Sequence, residues 1–136
     1  MTASGSDHVH HSYGTEVMKE LIPLARDMRR AIPDVMQAFG GLSAAVMKDG
    51  ALDAKTKELI ALAISITERC DGCINTHARK AVKRGATQAE VGEAIGVAIL
   101  MTGGPATVYG PRAFAAFREY EAQEPPQTPP APQPGM

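Results

Sequence analysis

Two cysteines and a histidine stand close together in ERCDGCINTHARKA, which spans residues 68–81. Cys70 and Cys73 are separated by two residues, and His77 follows the second cysteine by four. On a helix, residues four apart share a face, so His77 would lie beside Cys73. An imidazole there can accept the thiol proton or, once charged, stabilise the thiolate, which is the reactive form of cysteine. The spacing therefore favours a thiol redox centre.

Two other interpretations of these cysteines stay open. Free cysteine often behaves as a small buried hydrophobic residue. A zinc site is the second alternative, since Cys70, Cys73 and His77 supply three ligands, but a stable structural zinc site needs four. The other three histidines all lie within the first 11 residues, in a polar arm that is a poor place for a ligand. We therefore predict no metal and no other cofactor.

Glu58 is the acidic residue beside the apolar run LIALAISI. If two helices fold back on each other around residues 69–72, Glu58 lies ~16 Å from the turn and His77 ~8 Å, at about 1.5 Å per residue. A bridging water or the reach of the side chains would then complete a proton relay from thiol to imidazole to carboxylate. Glu58 is equally well explained as a solvated residue in a first helical turn, where the helix dipole favours an acidic side chain.

The elements that must position these residues all have helical patterns. There is no sustained alternation of apolar and polar residues, and aromatic residues make up only 4% of the chain. We predict an all-α domain of about six helices over residues 14–122. The predicted helices cover residues 15–30, 33–48, 54–69 and 71–84, a fifth that opens at Thr87 and runs through VGEAIGVAILM, and a sixth from Pro105.

Several residues predict where these helices begin and end. Asp53 is suited to cap the third helix, and Thr87 with Glu90 forms a capping box for the fifth. Gly85 is well placed for the left-handed residue that ends the fourth helix. Pro23 lies inside the first helix and is expected to break or kink it.

Composition limits the partners and the location of the protein. The 136 residues fit one domain, and a net charge of -1 gives no reason to expect a nucleic acid or a membrane as a partner. Residues 1–13 have no apolar periodicity, and residues 123–136 carry six of the ten prolines, so we predict that both ends are disordered. No signal peptide or membrane span is evident, which favours the cytoplasm, where a C-x-x-C is more often catalytic or metal-binding than structural.

The third and fifth predicted helices are apolar on nearly every side. A domain of roughly 105 ordered residues buries only a modest core and has difficulty covering both helices by itself. We therefore predict a homo-oligomer. The alternative is a monomer in which these two helices lie centrally.

Residues 50–110 resemble the carboxymuconolactone decarboxylase family, in particular its alkyl hydroperoxide reductase D-like branch. The signature of that branch is a glutamate, eleven residues, C-x-x-C and then x-x-x-H, and it is matched by Glu58, Cys70, Cys73 and His77. The resemblance implies an all-helical alkylhydroperoxidase D-like fold assembling as trimers or hexamers. It also implies thiol-dependent reduction of hydroperoxides and favours the relay role of Glu58. The best-known members carry a histidine before the second cysteine, where this chain has Gly72, so the relay has one imidazole fewer.

We therefore predict a thiol-dependent peroxidase or disulfide oxidoreductase. Cys73 attacks the hydroperoxide because it lies beside His77, and Cys70 resolves the sulfenic acid to a disulfide. Cys70, being earlier on the helix, is expected to be the more exposed thiol and to exchange with an external dithiol or redox protein. The alternatives are a non-enzymatic redox-sensing oligomer and, ranked lower, a decarboxylase acting on a lactone acid, which has no evident need for two cysteines.

Overall fold

The computed structural model describes residues 12–124, and within this range it contains six helices and no strand. The helices are α1 (Thr15–Ala31), α2 (Pro33–Val46), α3 (Ala54–Thr67), α4 (Asp71–Lys83), α5 (Gln88–Thr102) and α6 (Gly104–Gln123). The predicted all-α fold is therefore confirmed, with helix bounds close to those predicted. Residues 1–11 and 125–136, which hold most of the predicted arm and tail, lie outside the described residues.

The predicted helix boundaries are produced by the expected local contacts. The side chain of Asp53 accepts a hydrogen bond from the backbone N–H of Thr56 at the start of α3. Thr87 and Glu90 form both hydrogen bonds of a capping box at the start of α5. Gly85 has a φ of 78°, the left-handed conformation that ends α4.

Of the break or kink predicted at Pro23, the break does not occur: α1 continues through this residue. Proline at this position removes the hydrogen bond from residue 23 to the carbonyl of Lys19. Both residues are exposed, so water can take the place of the missing donor. The free-energy cost of the missing hydrogen bond is therefore small enough for the 17-residue helix to continue.

The core is built by the last four helices. α3 packs against α4, α5 and α6, while α4 and α5 each pack against α6. Fully buried side chains from all four helices meet there, including Leu62, Ile74, Val91 and Phe117. α3 is thus the central helix that carries Glu58 into the interior.

The first two helices lie on the surface of this core and bury no residue completely. α1 packs against α4 and α6, whereas α2 packs against α1 alone among the described helices. Large apolar side chains remain exposed on α2, and Ile60 and Ile64 of α3 are exposed as well. A single chain therefore does not cover α3 all round, and the homo-oligomer that would do so stays a prediction.

A single carboxylate attaches the start of α1 to α6. Glu119 accepts hydrogen bonds from the Ser12 hydroxyl at 2.7 Å and from the Thr15 backbone N–H at 3.1 Å. Burial of the carboxylate raises its pKa, but the hydrogen bonds from Thr15 and Ser12 together outweigh burial and hold the pKa of Glu119 below its ordinary value. The ionised form of Glu119 therefore holds the beginning of α1 in place.

Asn75 of α4 provides a second attachment, which joins Tyr13, just before α1, to Tyr120 of α6. Its side-chain amide donates to the carbonyls of Tyr13 and Asp71, at 2.6 and 2.9 Å, and its oxygen accepts from the hydroxyl of Tyr120 at 3.0 Å. Asn75 is almost completely buried. Its contact with Tyr120 is shielded from water, and the two contacts with backbone carbonyls are partly shielded. They hold α1 across the first turn of α4, where both cysteines lie.

Candidate active site

Cys70 and Cys73 form a disulfide at the start of α4. Cys70 is the N-cap residue, and its sulfur accepts the backbone N–H of Cys73 with a nitrogen–sulfur distance of 3.2 Å. The free N–H groups and the dipole of a helix N-terminus stabilise negative charge. When the disulfide is reduced, a thiolate on Cys70 would therefore already have a hydrogen-bond donor.

A tight connection between α3 and α4 brings the disulfide back towards Glu58. Arg69 has a φ of 55°, in the left-handed region that residues other than glycine rarely adopt. The next residue, Cys70, donates its backbone N–H to the carbonyl of Ser65 at 3.1 Å. The chain reverses within a few residues, so α4 runs back along α3.

His77 and Glu58 meet directly across these two helices. The Nδ1 atom of His77 lies 2.8 Å from Oε2 of Glu58. Glu58 is 2% exposed, so it is a buried carboxylate and the solvated alternative is wrong. Side-chain reach alone closes the gap, and no bridging water is needed. Because Nδ1 is engaged, Nε2 is the ring atom left to exchange a proton with another group.

A cavity of about 670 Å³ lies over the disulfide, between α1, α2 and α4. Cys70, Cys73 and His77 line it, together with side chains from α1 and α2. Glu58 is not among the lining residues and stands behind His77. The structure thus brings three of the four predicted site residues to one cavity, and the fourth supports one of them from behind.

Gly72 lies close to α1. A Cβ atom at this position would lie 2.8 Å from Cδ2 of Leu21. This position therefore has no room for a side chain while Leu21 keeps its place.

The exposure of the two cysteines is opposite to the expectation. Cys73 is exposed and Cys70 is half-buried. Cys70 is drawn inward because its backbone N–H bonds to Ser65 on the last turns of α3. Cys73, three residues later, is on the open side of the first turn of α4. The prediction that Cys70 is the more accessible thiol is wrong.

A second cavity, of about 540 Å³, borders Glu58 and shares Ser43 and Lys80 with the first. Its lining includes Glu58 and three cationic side chains, Lys80, Lys83 and Arg84. The carboxylate that contacts His77 therefore borders one cavity while the imidazole borders the other.

Arg112 forms a further contact beside the disulfide. Its guanidinium lies 3.5 Å from the carboxylate of Asp71, the residue after Cys70. It also stacks 4.5 Å from the ring centre of Tyr109 and 5.2 Å from that of Tyr13. These contacts join α6, α4 and the residues that precede α1.

Within residues 12–124, no three or more histidine, cysteine or acidic side chains are grouped so that they could hold a metal ion. The histidines near the N-terminus lie outside that range. In the same part of the chain, no helix has the length and apolar character needed to cross a membrane.

Comparison with known sequences identifies the family. Residues 33–122, from the start of α2 almost to the end of α6, match the sequence profile of the carboxymuconolactone decarboxylase family. The chain belongs to this family. The resemblance predicted from Glu58, Cys70, Cys73 and His77 is therefore confirmed at the level of the family.

Solved structures of the carboxymuconolactone decarboxylase family support the same assignment. A family member from Legionella pneumophila is 40% identical, with a TM-score of 0.75, and the match covers 79% of this chain and 96% of that chain. A member from Thermotoga maritima is 35% identical, with a TM-score of 0.60, over 65% and 91% of the two chains. The Thermotoga protein is described with a suggested part in the antioxidative response.

Sequence relatives carry no further functional description. The uncharacterised protein 4 of the cox locus of Paracoccus denitrificans is 40% identical over 92 residues, which is 68% of this chain and 83% of that protein. An uncharacterised protein of Cupriavidus necator is 39% identical over 88 residues, or 65% and 78% of the two chains. The function within the carboxymuconolactone decarboxylase family must therefore be argued from the site.

Proposed function

We propose that this protein is a thiol-dependent peroxidase that reduces organic hydroperoxides and is recycled by an external dithiol or redox protein. The observation that carries the proposal is the Cys70–Cys73 disulfide in one cavity with His77, whose ring contacts the buried carboxylate of Glu58. A disulfide is the product expected from a pair of peroxide-reactive cysteines. The suggested antioxidative part of the Thermotoga relative supports the same chemistry.

In the first step, the thiolate of Cys73 attacks the terminal oxygen of the hydroperoxide. The O–O bond breaks, Cys73 becomes a sulfenic acid, and the alkoxide leaves as an alcohol after taking up one proton. His77 accepts the thiol proton and returns it to the alkoxide, while Glu58 stabilises the charged imidazole. The exposure of Cys73 to the cavity supports its role as the attacking thiol.

In the second step, the thiol of Cys70 attacks the sulfur of the Cys73 sulfenic acid. A sulfur–sulfur bond forms, and the hydroxyl group leaves as water with the proton of Cys70. The two Cα atoms lie 5.2 Å apart, a usual separation for a disulfide, so this step needs no large movement of the helix.

In the third step, a thiolate of the reductant attacks the disulfide at the exposed sulfur of Cys73. Cys70 then leaves as a thiolate, which the backbone N–H of Cys73 stabilises. Thiol exchange is faster when the leaving thiolate is stabilised. A second thiol of the reductant releases Cys73, so two electrons and two protons restore the dithiol. Peroxide and reductant would both react at Cys73, which replaces the earlier expectation that the reductant enters at Cys70.

The test compares thiol loss and turnover in the full-length protein. Pre-reduced protein is mixed with cumene hydroperoxide, its remaining thiols are counted against time, and peroxide consumption is then followed with excess dithiothreitol. Free cysteine at the same pH is the control. We expect both thiols to be lost much faster than free cysteine, with many equivalents of peroxide consumed per subunit.

Two variants assign the steps. Cys73→Ser is expected to abolish peroxide consumption. Without added dithiothreitol, pre-reduced Cys70→Ser is expected to consume one equivalent and leave a sulfenic acid that dimedone traps. Thiol loss no faster than that of free cysteine would overturn the proposed function. Fast consumption of only one equivalent, even with several dithiols and a thioredoxin-type protein supplied, would favour a redox sensor instead.

A further inference from the structure

The walls of the cavity over the disulfide are mostly apolar. α1 contributes Leu21, Ile22 and Met28, and α2 contributes Met36 and Phe39. Leu21, Ile22, Met28 and Phe39 are between 39% and 64% exposed, so an apolar ligand that entered would remove them from water. The cavity volume of about 670 Å³ is within the range of natural ligand pockets. A small peroxide such as hydrogen peroxide would leave most of this surface wet.

One flank of the same cavity is cationic. Arg26, Arg29 and Lys80 line it, and the described lining residues include no carboxylate. The ion pairs formed within residues 12–124 do not involve these three side chains. Lys80 also borders the second cavity beside Glu58, whereas the two arginines of α1 do not.

The positions of Arg26 and Arg29 suit one shared anion. They are three residues apart on α1 and therefore lie on the same side of the helix. The guanidinium group binds a carboxylate through two parallel hydrogen bonds. Arg26 and Arg29 lie roughly 8 and 12 Å further along the helix axis than Leu21, at about 1.5 Å per residue. Leu21 itself lies against Gly72, beside the reactive cysteines.

We propose, resting on the proposed peroxidase function, that the cavity binds hydroperoxides of long-chain carboxylic acids. The acyl chain lies against the apolar side chains of α1 and α2, and the carboxylate binds at Arg26 and Arg29. The distance between Leu21 and these arginines places the reacting oxygen in the middle of the chain and not next to the carboxylate. Leu21 provides an apolar contact beside the thiols, in the space that Gly72 leaves open.

Binding is tested without any redox chemistry, using the oxidised full-length protein and isothermal titration calorimetry. The probes are decanoate, its neutral counterpart decanol, and the shorter hexanoate, all below the concentrations at which they aggregate. We expect decanoate to bind at one site per subunit and more tightly than decanol. Each additional buried methylene should strengthen binding by up to about fourfold, so hexanoate should bind much more weakly than decanoate.

Paired variants separate the site from general charge effects. Arg26→Gln/Arg29→Gln should weaken decanoate binding about fivefold, since each partly exposed ion contact contributes modestly, and change decanol binding less than about twofold. The matched control is Arg30→Gln/Arg118→Gln, which removes the same charge from exposed residues outside the cavity lining. In that control, the affinities for decanoate and for decanol should both stay within about a factor of two of the wild-type values.

The outcomes distinguish this site from the function on which it rests. Absence of decanoate binding, equal affinity for decanoate and decanol, or equal losses in the two double variants would overturn the proposed site. If cumene hydroperoxide still oxidised the thiols rapidly, the peroxidase proposal would survive. If decanoate bound with the expected affinities but the thiols reacted with no hydroperoxide, the carboxylate site would be supported and the peroxidase proposal overturned.

A kinetic measurement completes the test. The ratio of kcat/KM for a mid-chain hydroperoxide of an unsaturated C18 acid to that for cumene hydroperoxide should fall about fivefold in Arg26→Gln/Arg29→Gln. The loss should appear in KM, since the arginines bind a part of the substrate remote from the reacting oxygen. An unchanged ratio would show that the two arginines do not select the carboxylate.

Discussion

Replacement of Glu58 by Gln is expected to slow the reaction of the reduced protein with an organic hydroperoxide by about tenfold. Gln has nearly the same shape as Glu and keeps a neutral oxygen that can accept from Nδ1 of His77. A hydrogen bond between charged groups contributes about 1.5–3 kcal/mol, and one between neutral groups about 0.5–1.5 kcal/mol. The difference of about 1–1.5 kcal/mol acts when His77 becomes charged, and about 1.4 kcal/mol is tenfold in rate.

The burial of Glu58 makes this value a lower limit. The carboxylate is 2% exposed, and the His77 side chain is 22% exposed, so solvent screens their 2.8 Å contact only weakly. His77→Gln removes the proton acceptor itself and should slow the reaction by about 100-fold or more. The two variants together therefore separate the group that moves the proton from the group that stabilises its charge.

The assay is stopped-flow oxidation of pre-reduced protein by cumene hydroperoxide, with thermal unfolding recorded for each variant. Glu93→Gln is the matched control, because Glu93 is an exposed carboxylate on α5. The control should react at the wild-type rate. A folded Glu58→Gln protein reacting within twofold of wild type would refute the relay, and so would an equal slowing in Glu93→Gln.

Three further predictions concern stability. Gly72→Ala should be neutral or destabilising in the wild type, because the new Cβ meets Leu21. In a Leu21→Ala background the same change should stabilise the protein by about 0.5–1 kcal/mol. Urea unfolding of wild type, the two single variants and the double variant measures the coupling between the two positions, and additive free energies of unfolding would contradict the close contact. Asn75→Ala should destabilise the protein by about 2–3 kcal/mol, since it leaves the buried hydroxyl of Tyr120 without its partner. Tyr120→Phe should cost only about 1 kcal/mol. Equal losses of stability for the two variants in denaturant unfolding would argue against a shared hydrogen-bond network. Because the pKa of Glu119 lies below its ordinary value of 4.5, its contribution is present above that pH and is lost as pH falls through the lowered pKa. The difference in Tm between wild type and Glu119→Gln should therefore shrink as the pH is lowered below 4.5, and a constant difference would show that the ionised carboxylate is not what holds α1.

Sequence patterns predicted the helices because local contacts determine where each one begins and ends. Asp53, Thr87 and Gly85 act through atoms within a few residues along the chain, so their effect can be deduced without knowing the tertiary structure. Pro23 shows the limit of the same reasoning. Whether a proline ends a helix depends on the solvent around the unpaired carbonyl, and sequence spacing does not contain that information.

The candidate site was predictable where two residues lie on one helix and less so where helices meet. Helical spacing alone predicts that Cys73 and His77 lie beside each other. The direct contact between His77 and Glu58 depends on how α3 and α4 pack, and the spacing left open whether water lies between them. The exposure of Cys70 was predicted wrongly because its hydrogen bond to Ser65 arises from the turn at Arg69.

The disulfide closes a ring of only four residues, since its cysteines are three positions apart. A ring this short removes little freedom from the unfolded chain, and the loop-entropy relation gives a stabilisation of about 2 kcal/mol. Domains of this size are usually stable by about 5–15 kcal/mol. The helical domain should therefore stay folded in both oxidation states, so repeated cycles of oxidation and reduction would not expose its core to aggregation or proteolysis.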